Sequence, residues 1–353
     1  MKIFLNLANN LYEKINPLFP WGFSLFPRTA TFELLYACNL HCSMCYLREE
    51  EVIKKLKPKK ILTTNQVKKI TNKIPGFTSI SFTGGETFLR KDIFQILDYA
   101  GKKHRIGIIS NLTLLDENKT RRLLKTNLGA LMFSIDGDQK THDKIRGKGM
   151  YKKTVENVKR LISLKNEASA KLPIITLNCV IQQDSMPVLN KVAQLAKELE
   201  VNICNFQIYD SSLNRSGYDL HNSLKHLDKK LITKAPKINS KKLQAKLTET
   251  KKILKNSKTK LTFTPQFKIK QITNHYQQKI DLNKAYCYQP YYSFRISPFG
   301  EVYPCFNLYI GNLLHQNFWE IWNSDKFRKF RTDVKKRKYL SSCVGCCHIK
   351  IKK

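Results

Sequence analysis

Between Thr31 and Tyr209 the chain repeats one unit: a short apolar run, a turn, then a longer stretch with helical spacing of its apolar residues. The apolar runs fall near 31–37, 78–83, 105–110, 130–135, 174–181 and 203–209. The stretches between them predict helices near 64–73, 91–101, 116–126, 152–167 and 187–199. Strands alternating with helices at this spacing predict a parallel sheet with crossover connections. Six such units make most of an α/β barrel, a partial (β/α)6 of the TIM type, whose chemistry sits in the loops at the C-terminal ends of the strands.

The loop after the first strand reads Cys38-Asn-Leu-His-Cys42-Ser-Met-Cys45-Tyr46. Three cysteines at CxxxCxxC spacing turn three thiolates toward one point, which suits three corners of a cubane iron–sulfur cluster. A cluster held by three cysteines leaves one iron with an open position. Tetrahedral zinc would want a fourth ligand nearby, and His41, set between two ligating neighbours, is poorly placed to serve.

The loop after the second strand is Ser81-Phe-Thr-Gly84-Gly85-Glu86. Two glycines let the backbone approach a ligand closely, and Glu86 puts a carboxylate beside it. A tight turn is the plainer reading of the same residues. Cys179 and Cys204 lie inside apolar runs and read as core thiols.

A second set of cysteines closes the chain: Cys287, Cys305, then Cys343-Val-Gly-Cys346-Cys347. A hairpin turning at Pro298-Phe299-Gly300 brings Cys287 and Cys305 toward the terminal thiols. Four thiolates from Cys287, Cys305, Cys343 and Cys346 suit a structural zinc or a cluster, with Cys347 competing as fourth ligand.

Ten cysteines without a secretory signal predict metal or catalytic use in a reducing compartment, so the protein is expected in the cytoplasm. The net charge of +36 invites a nucleic-acid reading, but only 13 of the 63 basic residues are Arg, the side chain suited to bidentate phosphate contacts. Solvated lysine-rich faces account for the charge, and specific nucleic-acid binding is not expected. Residues 1–30 carry Phe4, Leu7, Leu11, Ile15 and Leu18 at helical period, closed by Pro17 and Pro20 and followed by Trp21, Phe23, Leu25 and Phe26. This segment predicts a helix packed across one end of the barrel or one lying in a membrane interface. Residues 210–286 turn lysine-rich, with 17 Lys and no Arg between 222 and 284. They read as a helical bridge, with a helix near 241–256, and residues 287–353 as a small α+β cluster-binding domain.

The first cysteine loop with its glycine–glutamate partner resembles the signature of the radical S-adenosylmethionine (radical SAM) superfamily. Cys287, Gly300, Cys305, Gly311-Asn312, Glu320-Ile-Trp322 and the CxxC at 343–346 resemble the SPASM/twitch domains attached to such enzymes. The resemblance implies that Cys38, Cys42 and Cys45 hold a [4Fe–4S] cluster whose open iron takes S-adenosylmethionine. It implies that Tyr46, Gly84, Gly85, Glu86, Asn111, Ser134, Asp136 and Arg146 bind that cofactor, with Glu86 at its amino group and Ser134 and Asp136 near its ribose and carboxylate. Arg146 reads equally as a salt bridge at a helix entry. Asn178 and the Gln183-Asp184 turn match the adenine side more loosely. One auxiliary [4Fe–4S] cluster is implied at Cys287, Cys305, Cys343 and Cys346, since the chain stops before further SPASM cysteines.

The implied activity is reductive cleavage of S-adenosylmethionine to a 5′-deoxyadenosyl radical, which abstracts a substrate hydrogen atom. The electron would come from a donor such as ferredoxin or flavodoxin. The family's substrates make a peptide or protein the first expectation, although only 37 residues precede Cys38, too few for a separate peptide-recognition domain. A lipid or other small molecule is the alternative, and a non-catalytic iron–sulfur electron carrier is the reading of another class. No side chain is singled out as catalytic acid or base.

Overall fold

Period-two alternation within each apolar run sets the strands. In a computed structural model, which describes residues 12, 15–48, 60–211, 236–305, 308–340, 343 and 345–352, all six expected strands are present. They are β1 (Thr29–Glu33), β2 (Ser79–Thr83), β3 (Ile106–Ser110), β4 (Leu128–Ser134), β5 (Ile174–Ile181) and β6 (Ile203–Ile208), parallel and in sequence order.

Three of the connecting helices begin at residues whose side chains satisfy free backbone N–H groups. Thr63 caps α1 (Thr64–Lys73) in a reciprocal box with Gln66, and Asp116 caps α3 (Glu117–Leu124), which follows α2 (Ile93–Ala100). Asp138 caps α4 (Gln139–Arg146), an extra helix before α5 (Met150–Glu167), and α6 (Leu189–Glu198) closes the set. Helix α4 is absent from the sequence-based expectation because its eight residues hold one large aliphatic, Ile145.

The sheet does not stop at residue 209. Helix α7 (Ser240–Leu254) buries Leu243, Leu247, Thr250 and Leu254, and β7 (Lys260–Thr264) then pairs parallel with β6. Part of the lysine-rich bridge is therefore a further helix and strand of the same sheet, followed by α8 (Ile269–Tyr276). The lysines of α7 stay outside while its leucines face inward, as amphipathic spacing requires.

The C-terminal module extends the opposite edge. Strand β8 (Ala285–Tyr286) pairs with β12 (Lys350–Ile351), which brings Cys287 beside the chain's last cysteines. The hairpin of β9 (Ser293–Ile296) and β10 (Glu301–Tyr303) turns at Pro298-Phe299-Gly300, where Gly300 takes φ +81°. Strand β9 runs parallel to β1, so the order is β11-β10-β9-β1-β2-β3-β4-β5-β6-β7, with β11 at Gly311–Asn312.

Residues 15–26 do not cross the barrel end. They lie on the C-terminal helices α9 (Phe318–Trp322) and α10 (Asp325–Arg337): the Ser24 carbonyl accepts from Trp322 Nε1 (3.1 Å) and Asn323 Nδ2 (3.0 Å). The buried Arg331 donates to the carbonyls of Pro290 and Gly22. The expected helix over residues 1–14 lies outside the described residues, apart from Tyr12.

Candidate active site

Leu131, Phe133, Leu177 and Phe206 belong to the main apolar core, so the alternate residues of those strands occupy the opposite face of the sheet. That face is polar. In register across β4 to β7 stand Ser134, Asn178, Asn205 and Thr262, with Asn205 donating to Asn178 (2.6 Å) and accepting from Thr262 (2.8 Å). A filled barrel would place branched apolar residues there. A polar row is what a ligand-binding concavity needs.

The three motif cysteines stand at the end of β1. Burial pushes the Cys38 thiol up to about 11 and raises Cys42 as well, and the three sulfurs act on one another electrostatically. Free Cys38 and Cys42 thiols would stay protonated at neutral pH, so thiolates there need a metal to compensate the lost hydration. Donors stand ready around the sulfurs. Leu40 N lies 3.4 Å from Cys38 Sγ, Asn111 Nδ2 3.9 Å from the same sulfur, and Arg146 Nη1 3.8 Å from Cys42 Sγ. N–H groups aimed at sulfur fit an iron–sulfur cluster, whose sulfurs accept such bonds.

Gly84 and Gly85 make a close approach, but to backbone. A Cβ on Gly84 would lie 2.2 Å from the Leu35 carbonyl oxygen, and one on Gly85 2.0 Å from that of Ala37. Gly85 N donates to Leu35 O and Glu86 N to Ala37 O, so this loop is the floor on which the cysteine loop rests. Glu86 is buried, with one oxygen accepting from Ser110 Oγ and Phe88 N and the other from Asn111 N. Burial raises its carboxyl above the ordinary range.

Asp136 is likewise engaged by protein groups. It accepts from Arg146 Nε (2.6 Å) and from Val180 N (2.8 Å) and is fully buried. Arg146 ends α4 rather than opening a helix, and the Asp136 carboxylate beside it holds its guanidinium charged. Ser134, the last residue of β4, is half-buried. Tyr46 opens a short 3-10 turn and donates to Glu33 (3.2 Å).

A cavity of about 200 Å³ opens beside the loop, lined by Ser43, Met44, Gln182, Gln183, Asp184 and Tyr209. Gln182 is buried, and its Nε2 has no partner among the described residues. Sequence reasoning passed over Gln182, since one glutamine in a turn gives no signal.

In the C-terminal module one cavity of about 60 Å³ is lined by Cys287, Cys305, Cys343 and Cys346, together with Arg295 and His348. Cys347 does not line that cavity, and its Sγ lies 3.5 Å from Asp210 Oδ2; Asp210, Cys346 and Cys347 offer ligand atoms within 4.8 Å of one another. Burial pushes Cys287 up to about 12. A donor set of four thiols around one enclosed space fits a cluster bound by four cysteines. Cys179 and Cys204 are buried in the main core, far up in protonated character.

The fold and both cysteine sites define a class, and the chain's residues match it. Residues 32–177 match the radical SAM superfamily and residues 287–347 the SPASM iron–sulfur cluster-binding domain, and the chain belongs to the radical SAM proteins that carry such a domain. The cofactors of these two domains are a [4Fe–4S] cluster with S-adenosylmethionine and auxiliary iron–sulfur binding.

Among individual relatives, the chain is 26% identical over 317 residues to the antilisterial bacteriocin subtilosin biosynthesis protein AlbA of Bacillus subtilis, covering 86% of this chain and 61% of AlbA. It is 30% identical over 180 residues to the sporulation killing factor maturation protein SkfB of the same species, covering 49% of this chain and 40% of SkfB. The chain thus spans less than two thirds of either protein. Its fold is similar to that of Streptococcus suis SuiB, with a TM-score of 0.63 at 15% identity over 87% of this chain and 68% of SuiB.

Proposed function

We propose that this chain is a radical SAM maturase that oxidises, or forms a bond within, a peptide or protein substrate. The observation that carries it is the pair of cysteine sites on one sheet: a three-cysteine loop at the end of β1 and a four-cysteine cavity walled by β1 and its neighbour β9. Bound S-adenosylmethionine with a reduced cluster supplies hydrogen-atom abstraction from an unactivated C–H bond.

The protein's part is placement. Cys38, Cys42 and Cys45 hold the first cluster, and Asn111 and Arg146 direct N–H groups at its sulfurs. Gly84 and Gly85 carry the loop and would leave their surface to the cofactor's methionine end, with Tyr46 and Ser134 completing the wall and the buried Glu86 and Asp136 fixing it from behind. The cavity beside Met44 would take the adenosyl end, with the buried Gln182 amide, which has no partner among the described residues, as a donor to it. Cys287, Cys305, Cys343 and Cys346 hold the auxiliary cluster, which suits a net oxidation because it offers an electron acceptor. The electron for the first cluster comes from a donor such as ferredoxin or flavodoxin. AlbA and SkfB, named for bacteriocin biosynthesis and killing-factor maturation, support a peptide over a lipid.

The test is anaerobic incubation of the reconstituted protein with dithionite, S-adenosylmethionine and peptides encoded beside it. A peptide whose mass falls by hydrogen loss supports the reading. Unmodified peptides together with conversion of a lipid would overturn the substrate class.

A second property, peripheral membrane contact, is favoured by Leu18 and Trp21, which are 71% and 78% exposed beside the basic helix α10. No described helix is long and apolar enough to cross a membrane. Flotation with anionic liposomes that persists in high salt and is lost in a Leu18→Ser/Trp21→Ser variant is the expected outcome; salt-sensitive flotation unchanged in the variant removes it.

A further inference from the structure

Glu33 ends β1 and is almost wholly buried, an unusual place for a carboxylate. Among the described residues it is held from three parts of the chain. Tyr36 donates from the next turn (3.0 Å), Tyr46 from just after Cys45 (3.2 Å), and Arg295 pairs with it from β9. The Arg295 side chain is itself 17% exposed and lines the cavity of Cys287, Cys305, Cys343 and Cys346. One ion pair therefore stands with its acidic end tied to the first cysteine loop and its basic end on the wall of the second cysteine site.

We infer that Arg295 is a positioning residue for the auxiliary cluster: the Glu33–Arg295 pair sets the charge of that site's wall and so its reduction potential. The inference rests on the reading that the four C-terminal cysteines hold a cluster. A [4Fe–4S] cluster with four thiolates is an anion that gains one more negative charge on reduction. A fixed cation beside it favours the reduced form and raises the potential, most strongly where water is excluded. Glu33 is the counter-charge that makes burial of Arg295 tolerable. It also orients the guanidinium, because the hydroxyls of Tyr36 and Tyr46 fix both carboxylate oxygens. A salt bridge serving only to clip β9 to β1 would leave the cluster's potential alone.

The test is redox titration of the reconstituted full chain, followed by electron paramagnetic resonance of both clusters, with iron content and circular dichroism as controls. In Arg295→Gln the auxiliary midpoint moves to lower potential while the first cluster moves less. Arg295→Lys restores the auxiliary midpoint toward wild type. Arg295→Gln leaves Glu33 buried without its cation, so the variant that protects folding is the double Glu33→Gln/Arg295→Gln. It also has a lowered auxiliary midpoint, because the charge nearer the cavity dominates. Full iron with unchanged midpoints in both variants overturns the inference, as does an equal shift of both clusters. Loss of auxiliary iron from all three variants assigns the pair a purely structural role and overturns it too. Wild-type protein with only one cluster's iron overturns instead the reading beneath it.

Discussion

Gly85 has no room for a methyl group, and the obstruction is the Ala37 carbonyl, one residue before the first motif cysteine. Gly85→Ala is expected to push the cysteine loop off its floor, costing about 1–3 kcal/mol of strain. Iron bound at the first site should fall while the C-terminal site keeps its own. Site-selective iron loss by Mössbauer or paramagnetic resonance checks this, and equal loss from both sites contradicts it. The sequence singled out Gly84, Gly85 and Glu86 as a loop of close approach but not what they touch. Close approach was legible, whereas its partner needed the register of β1 against β2. Asp136 and Arg146 were likewise legible as polar residues at a strand end and beyond, but their pairing required α4, which the apolar pattern did not announce. His275 shows a different residue-scale effect. It is buried, its Nε2 has no partner among the described residues, and burial lowers its pKa to about 4 from 6.5. The unfolded chain takes up a proton below pH 6.5 and the folded chain does not until about pH 4. Stability therefore declines as pH falls through that window and levels off beneath it, by on the order of 3 kcal/mol at most. Urea midpoints measured between pH 7 and pH 4 should show a shallower decline in His275→Phe than in wild type; parallel curves would contradict the assignment.

Helix α7 and strand β7 carry the lesson at the scale of elements. Seventeen lysines in 222–284 read as a solvated bridge, although Leu243, Leu247 and Leu254 keep a helical period beneath that charge. The helix itself was legible from that period; the strand was not, because Lys260–Thr264 has only Leu261 and Phe263 as apolar residues and is held by its pairing with β6 and its contact with α7. Leu247 is fully buried, and Leu247→Ala is expected to cost about 2–5 kcal/mol, as for other buried leucines. Denaturation by urea checks this. A linker helix that merely spans solvent would lose a few tenths of a kcal/mol at most. Substituting the exposed Lys251 and Lys252 by Gln should leave the midpoint nearly unchanged.

Across the whole molecule, the two cysteine sites belong to one sheet rather than to two beads on a string. Strand β9 lies against β1, and the N-terminal segment clasps α9 and α10 through Ser24 and the buried Arg331, and the turn before β9 through Asn16, which donates to the Tyr291 carbonyl. The cysteines themselves were readable from spacing because cluster chemistry fixes which residues are needed. The connection between the sites was not, since Glu33 and Arg295 lie 262 residues apart and each alone looks like an ordinary surface charge. A charged residue closing an apolar strand just before the first motif was the only available signal. On the proposed function, the first site cleaves S-adenosylmethionine and the second completes the reaction on substrate. The most direct measurement compares wild type with Cys287→Ala after anaerobic reconstitution, following iron, 5′-deoxyadenosine and modified peptide together. Wild type should hold about eight irons, as two cubane clusters require, and form both 5′-deoxyadenosine and product. Cys287→Ala should hold about four, keep 5′-deoxyadenosine and lose product. No 5′-deoxyadenosine from wild type, or zinc in place of the second cluster, would contradict the account.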